Sequence, residues 1–296
     1  MSNRSYFIES YEFKVPSLPV ALYLVATPIG NLNDITIRAL QTLAAVDYVA
    51  CEDTRKTGFL LKAFAINNKL ISYHEYSHDK IEDKLLDILQ SGKSIALVSD
   101  AGTPLVSDPG FKLVQRALEY NIKVIPIPGA SSVLSALIAS GLPTDKFNFV
   151  GFLSSKKNMR LKQLEEMKNQ TASIVGFESP HRLLESLQDM IDIFGGSKII
   201  SLARELTKKF EEIHTDTIEN IYQLYNNRDK IRGEFVFVIS SCSKQDLFTD
   251  VLEVDKLLLT LSNDMSLSKA AAQASVMTGQ KKSELYKRLL DIKKDD

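Results

Sequence analysis

The 296-residue chain has only two cysteines, no long hydrophobic run and almost no net charge. Cys51 and Cys242 lie far apart in the sequence and do not have the spacing of metal ligands, which indicates a reducing compartment. Neither cysteine is a good candidate for a nucleophile or a metal ligand. No stretch approaches the roughly 18 uninterrupted apolar residues that a membrane span needs. These shortages exclude a disulfide-stabilised mini-protein and an integral membrane protein.

The chain also lacks an excess of positive or negative charge, because 36 lysines and arginines nearly balance 37 aspartates and glutamates and leave a net charge of −1. A chain this neutral is not a general polyanion binder, so any affinity for nucleic acid must be local. The first residues mix charged and apolar side chains and contain neither an apolar targeting segment nor a small-residue cleavage site. We therefore expect a cytoplasmic protein.

The sequence has the composition of a soluble globular chain about two domains long, with 44% hydrophobic and 25% charged residues. From Ala21 to about Ile239, short apolar β-branched runs alternate with helical patterns, which predicts an α/β fold with helices covering the sheets. One helix is predicted over 35–46, with Asp34 as its N-cap. The predicted strands are 21–26, 48–51, 69–73, 94–99, 123–127, 147–151, 172–177, 198–202 and 234–239.

This alternation is interrupted at 126–143, where IPIPGASS, a small-residue helix and GLP intervene. We expect two α/β lobes there, at 19–130 and 131–243. After Ser240 the pattern is helical only, with helices predicted over 251–261, 268–277 and 281–292. The sequence thus predicts a third, small helical module at 248–296.

Some motifs lack the context that their chemistry requires. His74–His78 spells the H-E-x-x-H of zinc peptidases, but it continues a strand-like segment instead of lying on a helix, so a zinc hydrolase is weakly supported. Gly92-Lys93-Ser94 resembles the end of a phosphate-binding loop, but Asp87 stands where the first glycine is needed. Gly129–Val133 begins like a nucleophile elbow and lacks the closing glycine.

Three segments rich in glycine and proline each follow a predicted strand of the first lobe, at 27–32, 100–110 and 128–132. In an open α/β sheet, the loops at the carboxyl ends of the strands converge on one crevice where ligands bind. Glycine lets the backbone approach a ligand and proline fixes the shape of a loop. One such loop is usually a tight turn, but three after successive strands indicate a shared ligand pocket.

Seven segments spread over both predicted lobes carry a resemblance to a known family. They are LYLVATPIGNLNDITIRAL from Leu22, CEDTRKT from Cys51, LVSDAGTPLVSDPG from Leu97, PIPGASSVLSAL from Pro126, FESPHR from Phe177, ARELTKKFEE from Ala203 and GEFVFVI from Gly233. These segments resemble those of the tetrapyrrole methylase superfamily, and within it the enzymes that methylate ribosomal RNA. The resemblance implies two α/β lobes with an S-adenosylmethionine cleft between them. It also implies a homodimer that methylates the 2′-hydroxyl of a cytidine in the decoding region of 16S ribosomal RNA, in the small ribosomal subunit.

The resemblance also implies which residues contact the cofactor. Small-molecule members of the superfamily have Gly-Asp-Pro where this chain has Gly102-Thr103-Pro104, and Asp100 is the carboxylate that could replace the missing one. The implied cofactor-binding residues are Pro28, Gly30, Asp100, Gly102, Thr103, Pro104, Ser107, Ser131, Ser132, Phe177 and Gly233.

Methyl transfer to a hydroxyl is an in-line displacement, so the protein mainly orients the two reactants and removes a proton, and no metal is expected. A 2′-hydroxyl is a weak acid, so a nearby carboxylate or histidine would help as a general base. Glu52 and Asp53 lie in the matching motifs, but the favoured candidates are Glu178, His181 and Glu205.

Basic side chains in these motifs and in the tail are candidates for phosphate contacts. The last helix and its end carry six lysines and arginines against two acidic residues, a net +4. A helix–Thr-Gly–helix unit of this kind fits a helix-turn-helix-like RNA contact, although a basic helix that only packs on the body remains open. The candidate RNA-binding residues are Arg55, Arg182, Arg204, Lys208, Lys281, Lys282, Lys287 and Arg288.

Two other functions stay open at this point. A tetrapyrrole-precursor methylase would bind a small-molecule acceptor and have no affinity for RNA. A non-catalytic RNA-binding or assembly protein would fail to bind S-adenosylmethionine.

Overall fold

The computed structural model describes residues 4–15, 17–74, 79–241, 251–278 and 280–295. Over these residues the chain forms a mixed α/β fold with twelve β-strands, a short 3₁₀ helix at Leu32–Asp34 and eleven α-helices. The strands are β1 (Ser5–Ile8), β2 (Tyr11–Lys14), β3 (Leu22–Val25), β4 (Tyr48–Cys51), β5 (Leu70–Ser72), β6 (Ile95–Val98), β7 (Val124–Ile127), β8 (Phe147–Phe152), β9 (Ser173–Glu178), β10 (Ile199–Arg204), β11 (Glu212–Thr217) and β12 (Phe235–Ile239). The helices are α1 (Ile37–Ala45), α2 (Thr54–Ala63), α3 (Asp79–Gln90), α4 (Phe111–Glu119), α5 (Ser132–Ala139), α6 (Lys157–Met167), α7 (Leu183–Phe194), α8 (Ile218–Asn226), α9 (Val251–Asp264), α10 (Leu267–Thr278) and α11 (Lys282–Asp295).

The first sheet has the strand order β5-β4-β6-β3-β7, and each neighbouring pair is parallel. Its inner strands are short and almost entirely apolar because helices cover both faces, and all four residues of β6 are buried. Since the strands are parallel, the sheet has one carboxyl edge, where the strands end, and one amino edge, where they begin.

The second sheet has the order β11-β10-β12-β9-β8, with β8 and β9 parallel. Every residue of β12 is buried. Gly176 in β9 lies directly against the ring of Phe237, where a Cβ would overlap the ring carbons, so only glycine fits at this position.

The chain divides into two compact units, and neither is continuous in sequence. The first consists of Met1–Ser140, Leu202–His214 and Arg232–Val236. The second consists of Gly141–Ser201, Thr215–Ile231 and Phe237–Asp296.

The C-terminal helices α9, α10 and α11 have a small core of their own. Alanines at 270, 271 and 274 are fully buried in α10, and their small size lets the neighbouring helices approach closely. Arg288 in α11 pairs with Asp255 in α9 at 2.5 Å, which joins the first and last helices of the module.

All nine strands predicted from sequence are present, but three strands and one helix cap were not predicted correctly. β2 is exposed along its whole length and β11 is only partly buried, so neither has an apolar run, and β1 is a four-residue strand in which only Tyr6 is fully buried. The predicted N-cap Asp34 is wrong, because Asp34 ends the 3₁₀ helix and α1 begins at Ile37. Thr36 caps that helix instead, its Oγ1 accepting from the N–H of Ala39 at 3.0 Å.

Candidate functional site

Three loops at the carboxyl edge of the first sheet contact one another. They follow β6, β3 and β7, which are neighbours in the sheet. The N–H of Thr27 donates to the carbonyl of Gly102 at 2.9 Å, and the N–H of Gly102 donates back to Thr27 at 3.0 Å. Thr103 Oγ1 donates to the carbonyl of Ala130 at 3.2 Å. The three loops therefore converge, as their positions after parallel strands predict.

Glycines make this convergence possible. A Cβ on Gly129 would lie 3.0 Å from the Cβ of Ala26, and one on Gly102 would lie 3.2 Å from Ile29 Cγ2. Gly102 also has a φ of +81°, in the left-handed region that glycine tolerates without cost. The loop backbones thus approach each other more closely than side chains would allow.

The loop after β6 is strained. Leu105 and Ser107 have φ values of +72° and +63°, in the left-handed region where non-glycine residues are uncommon. Such residues cost about 1–3 kcal/mol each and cluster at functional sites, where the surrounding structure holds them in place.

Asp108, in the same loop, is a titratable group that the sequence did not single out. Burial raises the pKa of its carboxyl to about 6, and the nearby charges of Glu52 and Asp100 act in the same direction. A hydrogen bond with Ser99 opposes this shift but does not cancel it. Asp108 therefore titrates close to neutral pH.

A cavity of about 670 Å³ opens at the carboxyl edge within the first unit, and it is large enough for a nucleoside-sized ligand. Of the residues predicted from sequence, Pro28, Gly30 and Asp100 from the cofactor set and Arg55 and Lys208 from the RNA set line it. The other lining residues are Thr27, Ile29, Leu32, Asp53, Lys56, Thr57, Phe59, Leu60, Ser99, Ala101 and Glu234.

One wall of the cavity is the start of α2 with its ion pairs. Asp53 caps this helix, its carboxylate accepting from the N–H of Arg55 at 2.8 Å and pairing with the guanidinium of Arg55 at 2.7 Å. These hydrogen bonds hold the pKa of Asp53 well below its usual value. Asp100 accepts from the N–H of Asp53 at 3.0 Å and pairs with Lys56 at 2.7 Å. The hydrogen bond to Asp100 raises the pKa of Lys56.

Lys208 and Glu234 of the cavity lining belong to a three-residue ion cluster with Glu205. Lys208 Nζ lies 2.9 Å from a carboxylate oxygen of both Glu205 and Glu234. Glu205 Oε1 also accepts from the backbone N–H of Glu234 at 3.0 Å. The hydrogen bond from Lys208 lowers the pKa of Glu205, so this carboxyl is ionised at neutral pH. Burial lowers the pKa of Lys208, but hydrogen bonds to the two glutamates outweigh burial and raise it.

Two of the predicted glycines make room for this ion cluster. Gly30 lies against Lys208, because a Cβ on residue 30 would overlap Lys208 Cγ and lie 3.0 Å from Lys208 Cε. Gly233 has a φ of +105°, and a Cβ there would lie 2.6 Å from Glu205 Cγ. Glycine at these positions therefore lets the loop backbones pack against the Glu205 and Lys208 side chains.

The predicted bases Glu178 and His181 lie in the second unit and differ sharply in environment. Glu178 is 2% exposed, and its carboxylate accepts from the N–H of Ser179, the hydroxyl of Ser186 and the guanidinium of Arg182. Both oxygens therefore have donors within the protein. His181 is exposed at the start of the helix that follows.

The lobe side chains that were predicted to contact phosphate are already paired with carboxylates of the protein. Arg204 donates to Glu212 at 2.9 Å and to the carbonyl of Arg232 at 2.6 Å, and Arg182 pairs with Glu178 at 3.1 Å. Arg55 has the most accessible side chain of the set, 89% exposed despite its pairing with Asp53.

The tail lysines are more accessible than Arg182 and Arg204 of the lobes. Lys281 is 81% exposed and 3.8 Å from Glu284, and Lys282 and Lys287 are exposed. Arg288 is half-buried in its pair with Asp255 and serves the packing of the module.

The remaining predicted residues occupy structural positions around the loops and in β9. Pro104 is buried, and Ser132 begins α5 with Ser131 as its N-cap, the Ser131 hydroxyl accepting from Leu134 N–H at 3.4 Å. The Phe177 ring packs 5.1 and 5.2 Å from the rings of Phe149 and Phe152.

Lys56 and Glu234 belong to the cavity but were not among the predicted site residues. Lys56 lies within the CEDTRKT motif and could have been found there. Glu234 likewise lies within the GEFVFVI motif, but its pairing with Lys208 arises only through the tertiary fold.

Neither a metal centre nor a membrane span is found in the described part of the chain. Among these residues no three His, Cys, Asp or Glu side chains are grouped closely enough to hold a metal ion. Of the H-E-x-x-H motif, His74 is exposed and the residues at 75–78 lie outside the described ranges. The described helices include none with the length and apolarity to cross a bilayer.

The sequence matches two family models. Residues 21–222 match the Tetrapyrrole (Corrin/Porphyrin) Methylases, and residues 249–293 match the RsmI C-terminal HTH domain. The expected α/β fold with a helix-turn-helix-like C-terminal module is therefore confirmed.

Solved structures support the same fold. Uroporphyrin-III-C-methyltransferase from Thermus thermophilus superposes with a TM-score of 0.54 at 19% identity, over 74% of this chain and 93% of that one. Diphthine synthase superposes with a TM-score of 0.58 at 16% identity, over 74% of this chain and 89% of that one. At these identities the likeness concerns the fold alone.

Curated relatives are much closer in sequence. Ribosomal RNA small subunit methyltransferase I from Mesorhizobium japonicum is 49% identical, over 95% of each chain. The protein of the same name from Escherichia coli O157:H7 is 43% identical, over 91% of this chain and 94% of the relative. The chain therefore belongs to the tetrapyrrole methylase family, and within it to the group of ribosomal RNA small subunit methyltransferase I.

Proposed function

We propose that this protein is an S-adenosylmethionine-dependent methyltransferase that methylates the 2′-hydroxyl of a cytidine in the decoding region of 16S ribosomal RNA. The observation that carries the proposal is the ligand-sized cavity beside three converging loops, in a chain 49% identical to a named ribosomal RNA methyltransferase. We propose an organisation into two α/β lobes, 19–130 and 131–243, and an RNA-contacting helical module, 248–296.

The loops after β6 and β7 fit the cofactor. They offer backbone groups and hydroxyls without a phosphate-binding cradle, and Thr103 and Ala130 hold the two loops together. When bound, S-adenosylmethionine supplies a methyl group on a positively charged sulfur. The residues proposed to hold it are Pro28, Gly30, Asp100, Gly102, Thr103, Pro104, Ser107, Ser131, Ser132, Phe177 and Gly233.

The cavity is proposed to receive the acceptor nucleoside. Its volume suits one nucleoside, and the exposed ring of Phe59 in its wall offers a face on which a base can stack. The protein's task is to hold the 2′-hydroxyl in line with the donor and to accept its proton.

Among the three candidate bases we favour Glu205. Its carboxyl adjoins the cavity through Lys208 and is kept ionised at neutral pH, so it can accept a proton there. Glu178 is buried with donors on both oxygens, and His181 is the second candidate because it is exposed. The proposed RNA contacts are the basic tail residues, which lie outside the cavity, and the accessible Arg55 in the cavity wall.

We further propose that the enzyme acts in the cytoplasm as a homodimer, with the 30S subunit as its partner. Mass measurement in solution tests the dimer, and a monomer at working concentration contradicts it. The match of 249–293 to a helix-turn-helix domain favours RNA over a small-molecule acceptor.

The experiment is transfer of a labelled methyl group from S-adenosylmethionine to 30S subunits from a strain that lacks this protein, followed by nuclease digestion. Label on the ribose of one decoding-region cytidine is the expected result. Cofactor binding without label on the subunit favours a tetrapyrrole-precursor methylase, and tetrapyrrole precursors are then tested as acceptors. Failure to bind the cofactor favours a non-catalytic RNA-binding protein.

A further inference from the structure

The two edges of the first sheet carry opposite charge. The described connections at the carboxyl edge contain five acidic residues and no lysine or arginine, and Arg55 and Lys56 in the first turn of α2 bring the net charge there to −3. The connections at the amino edge contain three lysines and one aspartate, a net +2. The carboxyl-edge residues are Asp34, Glu52, Asp53, Arg55, Lys56, Asp100 and Asp108, and the amino-edge residues are Asp47, Lys69, Lys93 and Lys123.

The acidic edge is poorly suited to bind phosphates. Its two cations are already engaged, Arg55 with Asp53 and Lys56 with Asp100, both at 2.7 Å. A polyanion approaching this edge meets net repulsion, so RNA that delivers a nucleoside to the cavity must gain most of its affinity from contacts elsewhere.

The amino edge has the opposite character. Lys69, Lys93 and Lys123 are exposed, and no carboxylate of the described chain forms an ion pair with any of them. The single acidic residue at this edge is neutralised locally, since Asp47 pairs with Arg4 at 2.9 Å and accepts from Ser94 N–H at 2.8 Å. The positive charge of the three lysines is therefore available to an external anion.

The fold arranges these lysines in a row. Lys69 and Lys123 immediately precede β5 and β7, and Lys93 lies two residues before β6. One strand lies between each successive pair in the sheet order. Adjacent strands are about 4.8 Å apart, so the row extends roughly 20 Å. The ring of Tyr48, at the start of the intervening β4, lies 5.7 Å from the ammonium of Lys69 and 5.6 Å from that of Lys93. These cation–π contacts orient two of the three lysines on one aromatic ring.

We propose that Lys69, Lys93 and Lys123 form a phosphate-binding surface for the RNA substrate at the amino edge, separate from the loops that carry out the reaction. This inference rests on the proposed function for the identity of the polyanion. Contacts of this kind fix the position of RNA without reading its bases, so they contribute affinity and leave the chemical step unchanged.

The test compares two triple variants of the full chain, each removing three positive charges. One is Lys69→Gln, Lys93→Gln and Lys123→Gln. The control is Lys80→Gln, Lys84→Gln and Lys112→Gln, three exposed lysines on helices of the same unit. Thermal denaturation first establishes that both variants are folded, and binding to 30S subunits is then measured over a range of salt concentrations.

We expect the affinity of the amino-edge variant for 30S subunits to fall at least about tenfold at low salt. The slope of log affinity against log salt concentration should become smaller by about 2 to 3. The amino-edge variant's KM for 30S subunits rises while kcat at saturation stays within about twofold, and the control variant binds like the unmodified protein. Equal weakening in both variants, or none in either, overturns the proposal.

Failure of the proposed function is distinguishable from failure of this surface. If the unmodified protein transfers no methyl group to 30S subunits, the proposed function fails whatever the variants do. If it transfers methyl normally and the amino-edge variant keeps its affinity and salt slope, only the surface is refuted.

Discussion

Gly30 lies directly against the side chain of Lys208, which in turn joins Glu205 and Glu234. One residue belongs to the loop after β3 and the other to a loop that follows β10 much later in the chain. The space that a Cβ would occupy at position 30 is filled by the Lys208 stem. The identity of residue 30 therefore controls where the ammonium group lies in the cavity wall.

Replacing Gly30 with alanine should displace Lys208 and break its two ion pairs. We expect kcat/KM for methyl transfer to 30S subunits to fall at least about tenfold, because a displacement near 1 Å at a positioned group can cost up to 10²-fold. Steady-state kinetics with the folded variant measures this effect.

Gly58→Ala is the matched control, because a Cβ there would make only an ordinary contact, 3.8 Å from Leu70 Cδ1. Gly58 lies inside α2, so alanine should stabilise the protein by about 0.5–1 kcal/mol and leave activity unchanged. Equal activity in the two variants would contradict the role given to Gly30.

Glu205→Gln should lower kcat by about 10² or more while cofactor binding is retained, if Glu205 is the general base. Lys208→Met removes the hydrogen bond that lowers the pKa of Glu205, so the acidic limb of the rate–pH profile should move to higher pH. Rapid-quench kinetics and isothermal titration with S-adenosylmethionine measure the two effects. A Glu205→Gln enzyme within threefold of full activity would transfer the assignment to His181.

Glu178→Gln should mainly reduce the stability of the protein, and the variant molecules that fold should still transfer methyl groups. The buried carboxylate accepts from Ser179, Arg182 and Ser186, and weakening these charged hydrogen bonds costs about 2–3 kcal/mol. Urea denaturation measures the loss. His181→Ala, at an exposed site, should stay within about 0.5 kcal/mol. Full stability with abolished turnover in Glu178→Gln would show instead that Glu178 acts in catalysis.

Asp108 makes the stability of the protein depend on pH, and replacing it with asparagine should remove this dependence. Its pKa of about 6 in the folded protein exceeds the ordinary value of 3.8, so the folded state binds more protons than the unfolded state between these values. This group therefore contributes stability that is present at low pH and is lost as pH rises through about 6.

The free energy of unfolding, compared between unmodified protein and Asp108→Asn at pH 4.5 and pH 7.5, isolates this contribution. We expect the variant to gain relative stability at pH 7.5 and to lose that advantage at pH 4.5. A difference that does not change with pH would contradict the raised pKa.

The strands of the two sheets could be predicted because burial on both faces leaves an almost uninterrupted apolar run, as in Ile95–Val98. Strands without such burial carry no comparable signal. Tyr11–Lys14 is exposed along its whole length, and Glu212–Thr217 reads EIHTDT. The cap of α1 was mispredicted because Asp34 and Thr36 are both good N-cap residues, and the preceding 3₁₀ turn decides between them.

The loops of the site could be predicted because glycine and proline mark where the backbone turns. The pairing of charged side chains could not, since it depends on neighbours that are distant in sequence. Arg204, predicted to contact phosphate, donates to Glu212 and to the carbonyl of Arg232, and neither partner was evident from the sequence. Sequence supplied the residue types of the ion cluster, and the tertiary fold determined their partners.

The interleaving of the two compact units affects how the protein is made. Residues 202–214 and 232–236, 13 and 5 in number and 18 together, complete a unit that otherwise ends at 140. Lys208 and Glu234 of the cavity wall belong to these late segments. During synthesis the wall therefore stays unfinished until residue 236 has left the exit tunnel, and a nascent chain stopped at residue 140 holds the loops without their ionic counterpart.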